Sequence, residues 1–273
     1  MTDGGDQGKH RLAILNAFPL LSQAQGDEGN ARVLAYRAGL RGIEATVASF
    51  HEPGPLPPAD LYVVGGLENE EHTELATRLR AGELADRVGE GAAVLAVNAG
   101  YQVLGRRFQD ADGVHYDGLG LLDVVSTRGD LAEGPVVTRP NPALGLPMMS
   151  GYECHHGRTE LGPGLRPLAP LELGVGNGDG DGDGDDAVAA EGAVWGRVVG
   201  TYLHGPVLAR NPELADLLLA WALGRRLEPA AAGRAGELRE QRIAEDRADR
   251  TGWGGQVHDR PSITGGHRRR RLR

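Results

Sequence analysis

The stretch VLAVNAGYQVLG, residues 94–105, carries the most informative pattern in this chain. Its first four residues are apolar, which favours a buried strand, and the residues Asn98, Ala99 and Gly100 separate that strand from a helix. A sharp strand-to-helix turn lifts one side chain above the sheet and leaves amide groups at the helix N-terminus that can stabilise an oxyanion. Asparagine tolerates the positive φ of such an elbow better than most residues. Taken alone, however, the stretch also fits an ordinary βα turn.

Strand-like and helix-like stretches alternate on both sides of this elbow. Strands are predicted at 11–17, 43–50, 61–66 and 92–97, and helices near 29–41, near 70–90 and after the elbow. This alternation predicts an α/β fold, a mostly parallel sheet with helices on both faces. Strands between 120 and 175 lack intervening helices, which indicates an antiparallel extension. Further along, the pattern predicts a strand pair in 194–205 and a helix at 211–224.

Composition limits the classes of protein to which the chain can belong. No run of eighteen apolar residues and no signal-like N-terminus is present in the 273 residues, so we expect no membrane span and a cytoplasmic location. The single cysteine, Cys154, excludes an intramolecular disulfide and CxxC metal sites. A net charge of -9 argues against a nucleic-acid-binding core.

Three segments outside the predicted core differ from it in composition. Residues 1–10 are polar and glycine-rich, and we expect them to be disordered. Residues 176–186, GNGDGDGDGDD, are interpreted as an acidic hairpin insertion, because the calcium-binding alternative lacks a repeated nonapeptide and a bidentate glutamate. Residues 226–273 form a charged tail that ends in HRRRRLR; we expect it to be disordered apart from one helix near 234–248. The tail is either a solvated terminus or a binder of anionic surfaces or nucleic acid.

A second candidate functional group is His204, in TYLHGP (201–206). It ends a strand rich in apolar and β-branched residues, and the carboxyl ends of strands in an open α/β sheet form the rim where ligands bind. A single histidine at such a position is also compatible with a simple surface role.

Several motifs in this order resemble the CobB/CobQ-type class I glutamine amidotransferases, and most closely their GatD branch. The matching stretches lie within residues 11–225 and are GDEGNARVLAYRAGLRGIEATV, DLYVVGG, VLAVNAGYQVLG, GLGLLDVVSTRGD, GYECHHGRTELGPG and GRVVGTYLHGPVLARNPELADLLL. The resemblance implies a flavodoxin-like glutamine amidotransferase domain over 11–225. It also implies hydrolysis of glutamine, with the ammonia passing to a MurT-like Mur ligase that amidates the D-glutamate of lipid II for the cell wall. It implies no metal and no ATP in this domain.

The resemblance also implies roles for individual residues. Position 98 is that of the nucleophile and His204 that of the general base, while the backbone amides of Gly66 and Ala99 match an oxyanion hole. Arg128 matches the group that holds the carboxylate of glutamine, a task that suits its planar fork. Gln102, one helical turn past the elbow, either lines the pocket or packs within the helix.

The sequence departs from the family at the nucleophile itself, because Asn98 stands where the family has cysteine. A carboxamide nitrogen is not nucleophilic at neutral pH, so the usual thioester cycle is not expected to run. Three explanations stay open: an inactive paralogue that keeps fold and partner, a glutaminase with a substituted nucleophile, or relocation of the thiol to Cys154. A non-catalytic module that senses glutamine or holds a ligase partner is the alternative function. Pro206 stands where many relatives place a glutamate, so His204 has no evident orienting residue in the sequence.

Overall fold

A computed structural model describes residues 11–19, 27–66, 71–178, 189–228 and 230–252. The predicted disordered N-terminus, most of the acidic insertion and the end of the charged tail lie outside these residues.

The described residues form strands and helices in an alternating order. The strands are β1 (Leu12–Ala17), β2 (Ala45–Phe50), β3 (Leu61–Val64), β4 (Ala93–Val97), β5 (Arg107–Gln109), β6 (His115–Asp117), β7 (Val124–Thr138), β8 (Ser150–Leu161), β9 (Ala169–Leu173), β10 (Ala190–Glu191), β11 (Ala193–Trp195) and β12 (Val198–Thr201). The helices are α1 (Asp27–Gly39), α2 (Glu71–Ala81), α3 (Leu84–Gly89), α4 (Ala99–Val103), α5 (Val207–Arg210), α6 (Pro212–Ala222) and α7 (Gly233–Gly252).

The first sheet has the order β11-β12-β4-β3-β1-β2, and only the β11–β12 pair is antiparallel within it. Alternate residues of β1 enter different cores, because successive side chains of a strand point to opposite faces. Ile14 packs in the core that contains Leu34 of α1 and Leu218 of α6, whereas Leu15 packs in the core that contains Leu75 of α2. Helices therefore cover both faces, and the predicted flavodoxin-like α/β fold is confirmed.

The second sheet has the order β10-β9-β7-β5-β6, with β8 paired to β7. The long antiparallel pair β7–β8 confirms the extension predicted for residues 120–175, and its register shifts between Arg128 and Ala132. β8 also reaches the segment that follows β12 of the first sheet, because Tyr152 forms an isolated antiparallel bridge with His204. The second sheet thus contributes to the carboxyl edge of the first.

The single helix predicted near 70–90 is wrong, because the chain forms two helices, α2 and α3, with a break at Gly82 and Glu83. A Cβ at Gly82 would lie 2.8 Å from Cγ of Leu56, and the amide of Leu56 donates to the carbonyl of Gly82 at 3.0 Å. Glu83 has a φ of 59°, which no continuous helix allows. Close approach of the proline-rich loop therefore interrupts the helix, and periodicity alone does not reveal such a contact.

The helix expected near 234–248 is present as α7, and it packs on the domain. Ile243 is buried, Arg239 forms an ion pair with Glu213 of α6, and Arg247 pairs with Glu172. No helix among the described residues has the length and apolar character needed to cross a membrane.

Candidate functional site

The elbow after β4 has the geometry that the sequence predicts. All five residues of β4 are buried, Asn98 has φ 53° and ψ −114°, and α4 begins at Ala99. The amide of Asn98 donates to the carbonyl of Thr201 at 2.9 Å, and its carbonyl accepts from the amide of Gln102 at 3.1 Å. The turn between β4 and α4 is thus occupied by an asparagine with a positive φ, which asparagine tolerates better than most residues.

The side chain of Asn98 is buried, with 1% of the residue exposed. Its Nδ2 donates to the carbonyl of Cys154 in β8 at 3.4 Å, and its Oδ1 has no hydrogen-bond partner among the described residues. A buried acceptor without a partner costs free energy. The carboxamide therefore lies against β8 but is not fully satisfied there.

The segment after β3 and the first turn of α4 come close together beside the elbow. A Cβ built at Gly66, which has a φ of 152°, would lie 2.7 Å from Cβ of Ala99. A Cβ at Gly100 would lie 2.5 Å from the carbonyl oxygen of Val64. Only glycine fits at these contacts, so the end of β3 packs directly on the first turn of α4. This packing places the predicted pair, Gly66 and Ala99, side by side.

His204 lies at the same edge of the sheet as Asn98. Its amide donates to the carbonyl of Tyr152 at 3.0 Å, and its ring meets the Tyr152 ring edge-on with 5.9 Å between centroids. Asn98 in turn contacts Cys154, two residues further along β8. The structure thus brings Asn98 and His204 against the same short stretch of β8, although their positions are more than one hundred residues apart in sequence.

Gln102 of α4 and Arg128 of β7 both lie against Gly157 of β8, three residues past Cys154. A Cβ at Gly157 would lie 2.4 Å from Nε2 of Gln102, so this buried side chain packs on the backbone of β8. Arg128 pairs with Gly157 in the β7–β8 ladder, and its amide donates to Oε1 of Gln109 at 2.6 Å. The side chain of Arg128 is exposed. Because alternate residues of a strand share a face, this side chain lies on the same face of β7 as the side chain of Ser126.

A buried polar network behind the elbow escaped the sequence analysis. Ser126 Oγ lies 2.8 Å from Thr159 Oγ1, and Thr159 Oγ1 lies 2.7 Å from the hydroxyl of Tyr202. The Tyr202 ring stacks on His155 with 3.8 Å between centroids. This network joins β7 and β8 to the strand that leads to His204.

Glu191 is the most deeply buried acid near this strand, with 0% exposed. Its Oε1 accepts from the hydroxyl of Thr201 and from the amide of Tyr202, while its Oε2 has no hydrogen-bond partner among the described residues. The pKa of Glu191 is raised to about 7, mainly by burial and in addition by the nearby Glu153, while the hydrogen bonds from Thr201 and Tyr202 act to lower it. The one sequence signal for it is a lone acid in the apolar run AVAAEGAVW.

The raised pKa of Glu191 predicts that the difference in stability between the wild type and Glu191→Gln depends on pH. The folded-state pKa, about 7, exceeds the ordinary value of 4.5, so the protonated carboxyl stabilises the fold below pH 4.5 and this contribution is lost as the pH rises through 7. Glutamine is uncharged at every pH, so Glu191→Gln does not share this loss. We expect the free energy of unfolding of the variant, relative to that of the wild type, to rise by roughly 3 kcal/mol between pH 4.5 and 8. Urea unfolding at a series of pH values measures the difference. A constant difference across that range would contradict the prediction.

Comparisons with known proteins give the family. Residues 17–212 match the family model described as CobB/CobQ-like glutamine amidotransferase domain. The chain is 29% identical over 250 residues to the lipid II isoglutaminyl synthase (glutamine-hydrolyzing) subunit GatD of Staphylococcus aureus, covering 88% of this chain and 98% of that protein. The corresponding GatD of Streptococcus pneumoniae is 29% identical, with 80% and 82% covered.

Larger proteins contain a similar domain. The cobyric acid synthase of Pelotomaculum thermopropionicum is 37% identical over 189 residues, which cover 63% of this chain and 34% of that enzyme. Because the family model spans well over half of the sequence, this chain belongs to the CobB/CobQ-like glutamine amidotransferase domain family.

Proposed function

We propose that this chain is the GatD-like subunit of a lipid II isoglutaminyl synthase in which glutamine binds but is not hydrolysed. Its partner in this proposal is a MurT-like Mur ligase, which activates the D-glutamate carboxylate of lipid II with ATP. Similarity to two GatD subunits over most of both chains supports the assignment to this complex. The observation that carries the loss of hydrolysis is Asn98 at the strand-to-helix elbow.

Hydrolysis in this site requires a nucleophile that Asn98 does not supply. A thiolate at position 98 would attack the amide carbon of glutamine, and the amides of Gly66 and Ala99 would stabilise the resulting oxyanion. His204 would deliver the proton with which ammonia leaves, and water would then cleave the thioester. Loss of the nucleophile from such a unit costs on the order of a millionfold in rate. The remaining groups can still bind the substrate.

Arg128 is the proposed ligand of the glutamine carboxylate. Arg128 is exposed on β7 opposite Gly157 of β8, and its planar fork suits a carboxylate. We expect Arg128→Gln to weaken glutamine binding about ten- to hundredfold, the loss of a charge-assisted hydrogen bond of ~1.5–3 kcal/mol. Calorimetric titration of the complex with glutamine measures this, and Arg139→Gln, another exposed arginine just past β7, is the matched control. Equal affinities in all three proteins would remove Arg128 from the site.

Cys154 is a less suitable nucleophile, although it lies close to Asn98. Its carbonyl accepts the hydrogen bond from Asn98, and a serine at 154 retains that carbonyl. A relocated sulfur must reach the same amide carbon with an error below about an ångström, and a thiol that projects from β8 instead of from the elbow starts from a different backbone position. We expect Cys154→Ser to leave glutamate release by the wild-type complex unchanged. A measurable wild-type activity that disappears in Cys154→Ser would favour relocation instead.

A glutamine-sensing or scaffold module is the second candidate function. The observation that favours it is the combination of a non-nucleophilic Asn98 with His204, Gly66 and Ala99 at one edge of the sheet. The two functions are distinguished by measuring lipid II amidation by the complex with ammonium and with glutamine. Under the main proposal the complex amidates lipid II with ammonium and not with glutamine, whereas a sensor changes ligase activity when glutamine binds.

A further inference from the structure

The three residues that lead from β12 to His204 are held by one buried carboxylate. Thr201 Oγ1 donates to Oε1 of Glu191, and the amide of Tyr202 donates to the same oxygen at 3.0 Å. The amide of Leu203 donates in turn to Thr201 Oγ1 at 3.1 Å. Glu191 thus fixes the backbone of residues 201–203 from the side of β10.

The same backbone also fixes the elbow. The carbonyl of Thr201 accepts the amide hydrogen of Asn98 at 2.9 Å, so the strand clamped by Glu191 contacts position 98 directly. The position two residues after His204 holds Pro206, which has no polar side-chain atom with which to orient the imidazole. We propose that Glu191 is a positioning residue that sets the placement of His204 relative to position 98 through Thr201, Tyr202 and Leu203. This inference rests on the proposed function for the meaning of that placement.

Stability alone does not account for Glu191. Its carboxyl group is fully buried, one oxygen lacks a partner among the described residues, and Glu153 and Tyr101 are the titratable groups that interact with it electrostatically. An ionised carboxyl in such surroundings is costly. The hydrogen bonds that Glu191 accepts from Thr201 and Tyr202 are therefore better explained by the geometry they impose, since active-site groups require close positional control.

Histidine NMR on the wild-type background tests the inference without requiring catalysis. The ring resonances of His204, assigned with His204→Gln, should shift in Glu191→Ala and in Thr201→Val, which removes the hydroxyl while keeping the side-chain shape. They should stay in place in Asp246→Asn, a matched control that alters another buried acid, one whose Oδ2 has no hydrogen-bond partner within the described part of the chain. If Glu191→Ala fails to fold, the His204 resonances of Thr201→Val alone test the inference. Unchanged His204 resonances in Thr201→Val would overturn the inference.

A kinetic readout in the Asn98→Cys complex separates positioning from general structural support. Thr201→Val and Glu191→Ala should lower kcat roughly ten- to hundredfold while KM for glutamine changes less than about twofold. Glu191→Gln, which keeps the Oε1 acceptor, should restore most of kcat. Equal losses in Glu191→Gln and Glu191→Ala, or a rise in KM alone, would contradict a positioning role. A silent Asn98→Cys complex would count against the proposed function, and the NMR result would still decide the inference about Glu191.

Discussion

Asn98→Cys is expected to convert a complex with no detectable glutaminase activity into one that releases glutamate from glutamine. The elbow already has the positive φ, Gly66 and Ala99 packed side by side, and His204 at the same edge of the sheet. Restoring a thiolate should recover much of the roughly millionfold loss, so we expect a gain of about 10⁴-fold or more. The measurement is glutamate release by the variant chain purified with its Mur-ligase-like partner.

Two controls make that result specific. Asn98→Ala also lacks a nucleophile and should stay as inactive as the wild type, which excludes an effect of simply removing the carboxamide. Asn98→Cys combined with His204→Ala should lose most of the gain, because the base that activates the thiol is absent. An Asn98→Cys complex that binds the partner and glutamine but releases no glutamate would show that position 98 does not face the substrate.

Asp216→Ala is expected to cause the largest loss of stability among single changes at ion pairs. Asp216 of α6 accepts from Nε of Arg37 at 2.5 Å and from Nη2 of Arg41 at 2.7 Å. Arg37 lies on α1 and Arg41 two residues past its end, and their side chains are only 4% and 9% exposed. Arg37 also donates to the carbonyls of Ala230 and Ala231, so this cluster ties the segment before α7 to the domain. Removal of the carboxylate leaves two buried cations without their counter-ion, a loss of about 3–5 kcal/mol.

The matched control for this prediction is an exposed ion pair on α1, the helix that carries Arg37. Glu28 and Arg32 of α1 form an ion pair at 2.5 Å in which both side chains are largely exposed. Glu28→Ala should change the free energy of unfolding by less than about 0.5 kcal/mol, because exposed ion pairs contribute little. Urea unfolding compares the two variants. Equal, small effects would mean that Asp216 is not the anchor of this cluster.

Local pattern and chain order were sufficient to predict the central sheet and the elbow. The apolar run before Asn98 and the small residues after it determine a buried strand followed by a helix, and this required no knowledge of distant residues. His204 was found from the apolar strand pattern before it, although β12 ends at Thr201 and His204 lies three residues past that end instead of closing the strand as predicted. The contact of both residues with β8 depends on how the second sheet folds back, which the motifs suggested only through family resemblance.

Contacts between distant segments explain what the sequence did not reveal. The break at Gly82 and Glu83 depends on Leu56, and periodicity between 70 and 90 carries no information about that loop. Glu191 is a lone acid in an apolar run, and its role is not evident until its bonds to Thr201 and Tyr202, ten and eleven residues further along, are known. Pairing of Arg37 with Asp216, 179 residues apart, likewise leaves no local signal.

The central claim is that side chain 98 faces the glutamine site beside His204. A glutamine-derived diazoketone, which alkylates a thiol positioned for attack on the substrate carbon, tests this claim in the Asn98→Cys chain with its partner bound. Intact-mass measurement and peptide mapping should find one adduct, at position 98, that glutamine competes away and that the wild type does not form. An adduct on Cys154 in both proteins, or no adduct in the variant, would contradict the account.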